Sequence, residues 1–272
     1  MTVVREPIWD DAPRSKFASV VRRSLTLLSS LGWSARILLS TIAAFPSVIV
    51  RRTSRAEFVH QLYVTGIRTL PVLAVVSLFM GMILALQVGL ELRRFNQEAF
   101  LGSAVMISLM REMAPFSCAL CLASCVGSAI AAELGTMKVN DEIAALEIMS
   151  ISPVRFLSAP RILALVVMSP ILGFFCCVIG VMGGGLVGET QLGVDFAQYM
   201  VSAMGIVDLK DLYVGLLKSF IFGLVIGTVA VTQGFGATHG ATGVGKATQR
   251  SVIINFLLIL MFGYMVTRIC YR

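Results

Sequence analysis

Five apolar runs that read as bilayer spans fill most of the chain beyond residue 69 and constrain its fold more than any other feature. The first covers 70–92, with Pro71 near its start and no charge before Glu91. The second covers 101–132, longer than the about 20 residues that suffice for a span, and it carries Arg111, Glu112 and Pro115. A tilted, bent or protruding helix is expected there. The third covers 162–187 and includes Gly183, Gly184 and Gly185, small residues that permit close helix contact. The fourth covers 213–231 and the fifth 252–266. Of the 272 residues 57% are hydrophobic and 14% charged, with a mean hydropathy of +0.88. Soluble domains carry about 45–50% and about 25%. The balance excludes a soluble enzyme, a nucleic-acid binder and a disordered tail, and predicts an all-α integral membrane protein.

Residues 1–16 are polar and lack the apolar core of a signal peptide, so the N-terminus is expected to stay in the cytoplasm. Residues 17–50 mix Leu25, Leu28, Leu31 and Trp33 with Arg22, Arg23 and Arg36. Basic side chains can reach headgroups while the apolar ones sink inward, which predicts an in-plane interfacial helix, with a short span as the alternative. With the N-terminus inside, Lys and Arg divide about fifteen to six between inner and outer segments when Lys218, near the start of the fourth run, is counted with the outer ones. That asymmetry predicts a periplasmic C-terminus.

Several residues suggest chemistry. Gly240 to Ala247 approaches the phosphate-binding loop pattern but ends in Ala247 where a hydroxyl should hold Mg²⁺, and it follows a span instead of a strand. It reads as a flexible cytoplasmic turn, and ATP hydrolysis would have to come from another chain. Cys118, Cys121 and Cys125 recur at i, i+3 and i+7 on one helix face. Zinc would need a fourth ligand, and both histidines, His60 and His239, lie in other segments, so these thiols read as packing and no metal is expected. Arg111 and Glu112 are adjacent inside an apolar helix. Ionisable groups at membrane depth face a protein interior or a wet cavity, unless the helix projects beyond the bilayer and both lie near its surface. Leu84, Val88, Leu92 and Phe95 form a continuous apolar stripe, which by itself fits lipid, a neighbouring helix or a ligand wall.

Between the second and third spans, 139–150 reads as a short amphipathic cytoplasmic helix. Asn140 is expected to cap it, Asp141 and Glu142 suit its positive N-terminus, and Pro153 stops it. Ile143, Leu146 and Met149 would form its apolar face. Such a helix is shaped to dock into a partner's groove or to rest on the membrane.

Together these residues resemble a known signature. Arg111-Glu112-Met113-Ala-Pro115, then Val126-Gly127 through Ala129 to Glu133-Leu-Gly135-Thr136-Met137-Lys138-Val139, then Ile143 to Glu147 and Pro153 to Arg161, is similar to the MlaE/YrbE permease family. Gly81-Met82-Ile-Leu84-Ala-Leu86-Gln87 and Gly243 to Thr248 match further family segments. Cys125 stands where the family has Arg, Ala114 where it has Gly, and Gly263-Tyr264 where an acidic residue is common. The resemblance implies the permease subunit of an ABC-type phospholipid transporter of the bacterial inner membrane. It implies a homodimer with a pocket opening between protomers toward the periplasm, lined by Leu84, Val88, Leu92, Phe95, Arg111, Glu112 and Met113. Arg111 would meet the lipid phosphate and Glu112 would hold the guanidinium. Coupling to a cytoplasmic ATPase dimer would use Glu133, Thr136, Lys138, Asp141, Glu142, Ile143, Leu146, Glu147 and Met149. Further implied partners are an MCE-domain periplasmic protein and, in some systems, a STAS-domain protein. No cofactor is called for. A secondary transporter would show two related halves with broken helices, and a membrane scaffold would need no ATPase; these are the competing readings.

Overall fold

The computed structural model describes residues 52–238 and 240–271, and within them the chain is all helix and connecting turns. The interfacial helix expected over 17–50 lies outside the described residues. Helix α1 spans Arg52–Gly66 and is followed after three residues by α2, Leu70–Arg94, so the first apolar run continues an N-terminal helical arm. The second run is one long rod built from α3 (Leu101–Ser108), α4 (Ala114–Leu122) and α5 (Ser128–Val139), joined by π-helical segments at Leu109–Met113 and Ala123–Gly127. Then come α6 (Glu142–Ile148), α7 (Ala159–Leu192), α8 (Phe196–Gly205), α9 (Leu209–Phe235) and α10 (Gly240–Cys270). Five helices are long and apolar enough to cross a membrane. The 140–153 connection marks one end of the bundle; Arg94, Leu192, Leu209 and Cys270 mark the opposite, far end.

Small residues set the packing. The buried face of α2 is Leu73, Ser77, Gly81, Ala85 and Gly89, one position in four, and it lies against α7. A methyl group on Gly81 would sit 1.8 Å from the Gly180 carbonyl oxygen, so the two backbones touch there. On the other side of α7, Gly223 of α9 faces the Leu165 carbonyl in the same way. Without a hydrophobic driving force in lipid, such close backbone approach is how membrane helices gain contact energy. Ala247, Ser251, Asn255 and Ile259 repeat the pattern on α10.

Four expectations are corrected. The short helix between the second and third spans does not fill 139–150: Asn140 ends α5, and Asp141 starts α6 in a left-handed conformation (φ 59°) without a side-chain cap. Residues 240–247 form the first turns of α10 instead of a flexible turn, because nothing breaks the helix and Val244 and Ala247 pack inward, Val244 toward Gly135. Cys118, Cys121 and Cys125 do not share one environment: Cys118 is buried against α7, Cys121 is half-buried and Cys125 is exposed. Lys218 is not an outer-loop residue, for it is buried within α9. Helix α8 was not anticipated; the Asp195 carboxylate caps it by accepting from the Gln198 N–H, and the buried Tyr199 hydroxyl donates to the Val181 carbonyl.

Candidate functional site: a charged cluster at the far end

Pro115 explains where the charged cluster forms. Proline has no N–H, so the Arg111 carbonyl four residues earlier loses its α-helical donor. The rod relaxes there into the π segment Leu109–Met113, in which the Ala114 N–H reaches back to the Leu109 carbonyl. Lys218 of α9 supplies the missing donor: its Nζ lies 2.7 Å from the Arg111 carbonyl oxygen and 2.6 Å from Glu112 Oε1. The Lys218 side chain is 1% exposed, so its ammonium depends on these two acceptors. The Thr267 hydroxyl of α10 donates to the same Glu112 oxygen at 2.5 Å.

Arg111 points to a different partner. Its Nε and Nη2 donate to the two oxygens of Asp211 at 2.8 and 2.9 Å, a bidentate fork. The Tyr271 hydroxyl donates to Asp211 Oδ1 at 2.6 Å, and the Arg111 guanidinium lies 4.6 Å from the Tyr271 ring centre. Burial, then the bond to Asp211, pushes the Tyr271 hydroxyl above its ordinary range, so it stays a donor at neutral pH. The second, fourth and fifth membrane helices are thus tied together at one end by two adjacent ion pairs. Arg111 and Glu112 were identified from sequence, but as partners of each other; each pairs with α9. Asp211, Lys218, Thr267 and Tyr271 were missed. A lysine placed in a loop by charge counting and an aspartate at a helix start gave no sign of their mates about 100 residues away.

The remaining predicted residues are dispersed. Leu84, Val88 and Leu92 are half-buried against the core, whereas Phe95 and Met113 are exposed and half-buried respectively. Near the opposite end Glu133 pairs with the buried Arg161 at 2.7 Å, and the Thr136 hydroxyl donates to the Ala132 carbonyl. Lys138, Asp141, Glu142 and Glu147 are exposed. Ile143 is 3% exposed and Leu146 half-buried, both turned onto the bundle, while Ile148, at 85%, and Met149 face outward. The apolar face expected to meet a partner therefore seats α6 on its own chain, and Met149 parts from it because the helix ends at Ile148.

A bundle of this build, with five helices long and apolar enough to span a bilayer, defines a multi-pass membrane protein. The sequence model described as permease MlaE matches residues 58–269, and the chain belongs to that family. It is 34% identical over 254 residues to a probable ABC transporter permease protein of Rickettsia conorii, covering 93% of this chain and 97% of that one. It is 33% identical over 231 residues to the intermembrane phospholipid transport system permease protein MlaE of Haemophilus influenzae, covering 84% and 88%. A more distant similarity, 29% over 208 residues, covers 76% of this chain and 59% of the chloroplastic protein Trigalactosyldiacylglycerol 1 of Arabidopsis thaliana.

Proposed function

We propose that this chain is the permease subunit of an ABC-type phospholipid transporter of a bacterial inner membrane, acting as a homodimer with a separate cytoplasmic ATPase. The observation that carries the reading is the likeness, over most of both chains, to the phospholipid transport permease of Haemophilus influenzae. The Lys and Arg asymmetry supports placing the 140–153 end in the cytoplasm and the far end at the periplasm, where an MCE-domain protein would exchange lipid with the permease and which a STAS-domain protein would not reach.

In this reading α6 is the coupling helix. The ATPase would meet its outward residues Glu142, Glu147, Ile148 and Met149, with Thr136 and Lys138 alongside, while Ile143 and Leu146 transmit force by fixing the helix to the bundle. Glu133 would act through Arg161, joining α5 to α7.

Leu84, Val88, Leu92 and Phe95 would form the tail wall of a pocket completed by the second protomer, with Met113 beside it. Arg111 and Glu112 act here as positioning residues, since each is already engaged by α9. Photo-crosslinkers at positions 84 and 92 test the reading. They should capture phospholipid far more than crosslinkers at Phe175 and Met182, exposed positions on α7 where annular lipid is expected. Equal capture at all four positions would remove the pocket.

A further inference from the structure

Three cations lie at the far end of α10, around Tyr271 and the groove it lines. Arg111 and Lys210 lie 4.6 and 5.4 Å from the Tyr271 ring centre, and Arg268 lines the groove with Tyr264, Thr267 and Tyr271. Two carboxylates answer them. Asp211 is consumed by Arg111 and Tyr271, and the exposed Asp208 acts on Arg111 only through space. Glu112 and Lys218 neutralise each other. Among the described residues neither Lys210 nor Arg268 forms an ion pair, so the groove carries one positive charge in excess.

The surface below the groove is apolar. Leu257, Met261 and Tyr264 are exposed at i, i+4 and i+7 on the α10 face that ends at Arg268. An apolar stripe about two turns long, topped by a tyrosine and unpaired cations, matches an acyl chain below a phosphate better than it matches either alone.

We infer that this groove binds a phospholipid of net negative headgroup charge, with Lys210 and Arg268 donating to its phosphate and the Leu257, Met261 and Tyr264 stripe lying along a chain. Arg111 is held away from the phosphate by Asp211 and shapes the groove through Tyr271. The inference deepens the lipid-transport reading and rests on it for the lipid being cargo.

The test uses the full-length protein in nanodiscs of phosphatidylcholine containing phosphatidylglycerol, with retained lipid measured by native mass spectrometry. Wild-type protein is expected to retain phosphatidylglycerol preferentially. The preference should fall about fivefold for each cation removed in Lys210→Gln and Arg268→Gln. Lys210→Arg with Arg268→Lys should keep it, as should Arg155→Gln at the opposite end. Equal preference in wild type and the double glutamine variant overturns the site, as does loss of preference in the charge-conserving variant. Displacement of the lipid by millimolar inorganic phosphate would show a free-phosphate site and overturn the lipid assignment. Failure of crosslinking at positions 84 and 92 with the preference intact removes the pocket reading alone; the reverse pattern removes the groove alone.

Discussion

Arg111 and Asp211, 100 residues apart in sequence, meet through two parallel hydrogen bonds of 2.8 and 2.9 Å, and Tyr271 closes the same carboxylate from the other side. The Arg111 side chain is 39% exposed, so solvent weakens the pair, whereas Asp211 at 4% has few other partners. Arg111→Ala should therefore lower thermal stability and transport together while the protein still assembles in the membrane. Full transport by this variant would show that the fork is dispensable.

The second ion pair gives a sharper energetic test. Glu112→Leu strands the Lys218 ammonium in the bundle and should cost about 3–5 kcal/mol. Adding Lys218→Met removes the stranded charge, and thermal melts should show most of the loss recovered. A double variant as unstable as the single one would mean that the pair is not the source of the loss.

Tyr271 predicts a pH dependence. Its folded-state hydroxyl titrates above its unfolded value, so the stabilisation it gives is complete below the unfolded value of about 10 and is lost as pH rises through the folded one. The unfolding free energies of wild type and Tyr271→Phe should differ by a constant amount, about 1 kcal/mol, up to pH 10 and converge above it. Convergence beginning near neutral pH would contradict the assignment.

For α6, burial separates coupling from folding. Ile148→Asp should abolish co-purification of the ATPase while the permease extracts and melts normally, because Ile148 projects from the bundle. Ile143→Asp should reduce the amount of folded permease itself, since it buries a charge. Unchanged ATPase binding by the Ile148 variant would move the docking surface elsewhere.

The α2–α7 crossing predicts a strong size limit. Gly81→Ala drives a methyl group into the Gly180 carbonyl and should destabilise by about 3 kcal/mol or more, whereas Gly205→Ala, with open space around it, should be tolerated. Similar melts for the two variants would rule out the tight crossing.

The five spans were readable because lipid imposes length and hydropathy on each one, and all five long helices cover the runs from 70 to 266 that composition marks. Boundaries were not, since helices project past the bilayer: α7 extends from Ala159 to Leu192 where 162–187 was expected. Arg111 and Glu112 stood out as charges in an apolar run. Their partners did not, because pairing between helices is set by the rotation of each rod, and two π segments change that rotation in ways no periodicity count registers. Helix α8 was hidden for another reason: ten residues between two spans give too short a pattern.

Pro115 removes one hydrogen from the backbone ladder, and Lys218 fills the gap with one of its own. The two positions are thereby coupled through one carbonyl oxygen. A chain that regained an ordinary residue at 115 would restore the ladder and leave the lysine competing with an amide for the same oxygen. A chain that lost the lysine would keep a carbonyl with nothing to receive. Substitutions at the two sites are therefore expected to be non-additive in stability, since each changes what the Arg111 carbonyl receives.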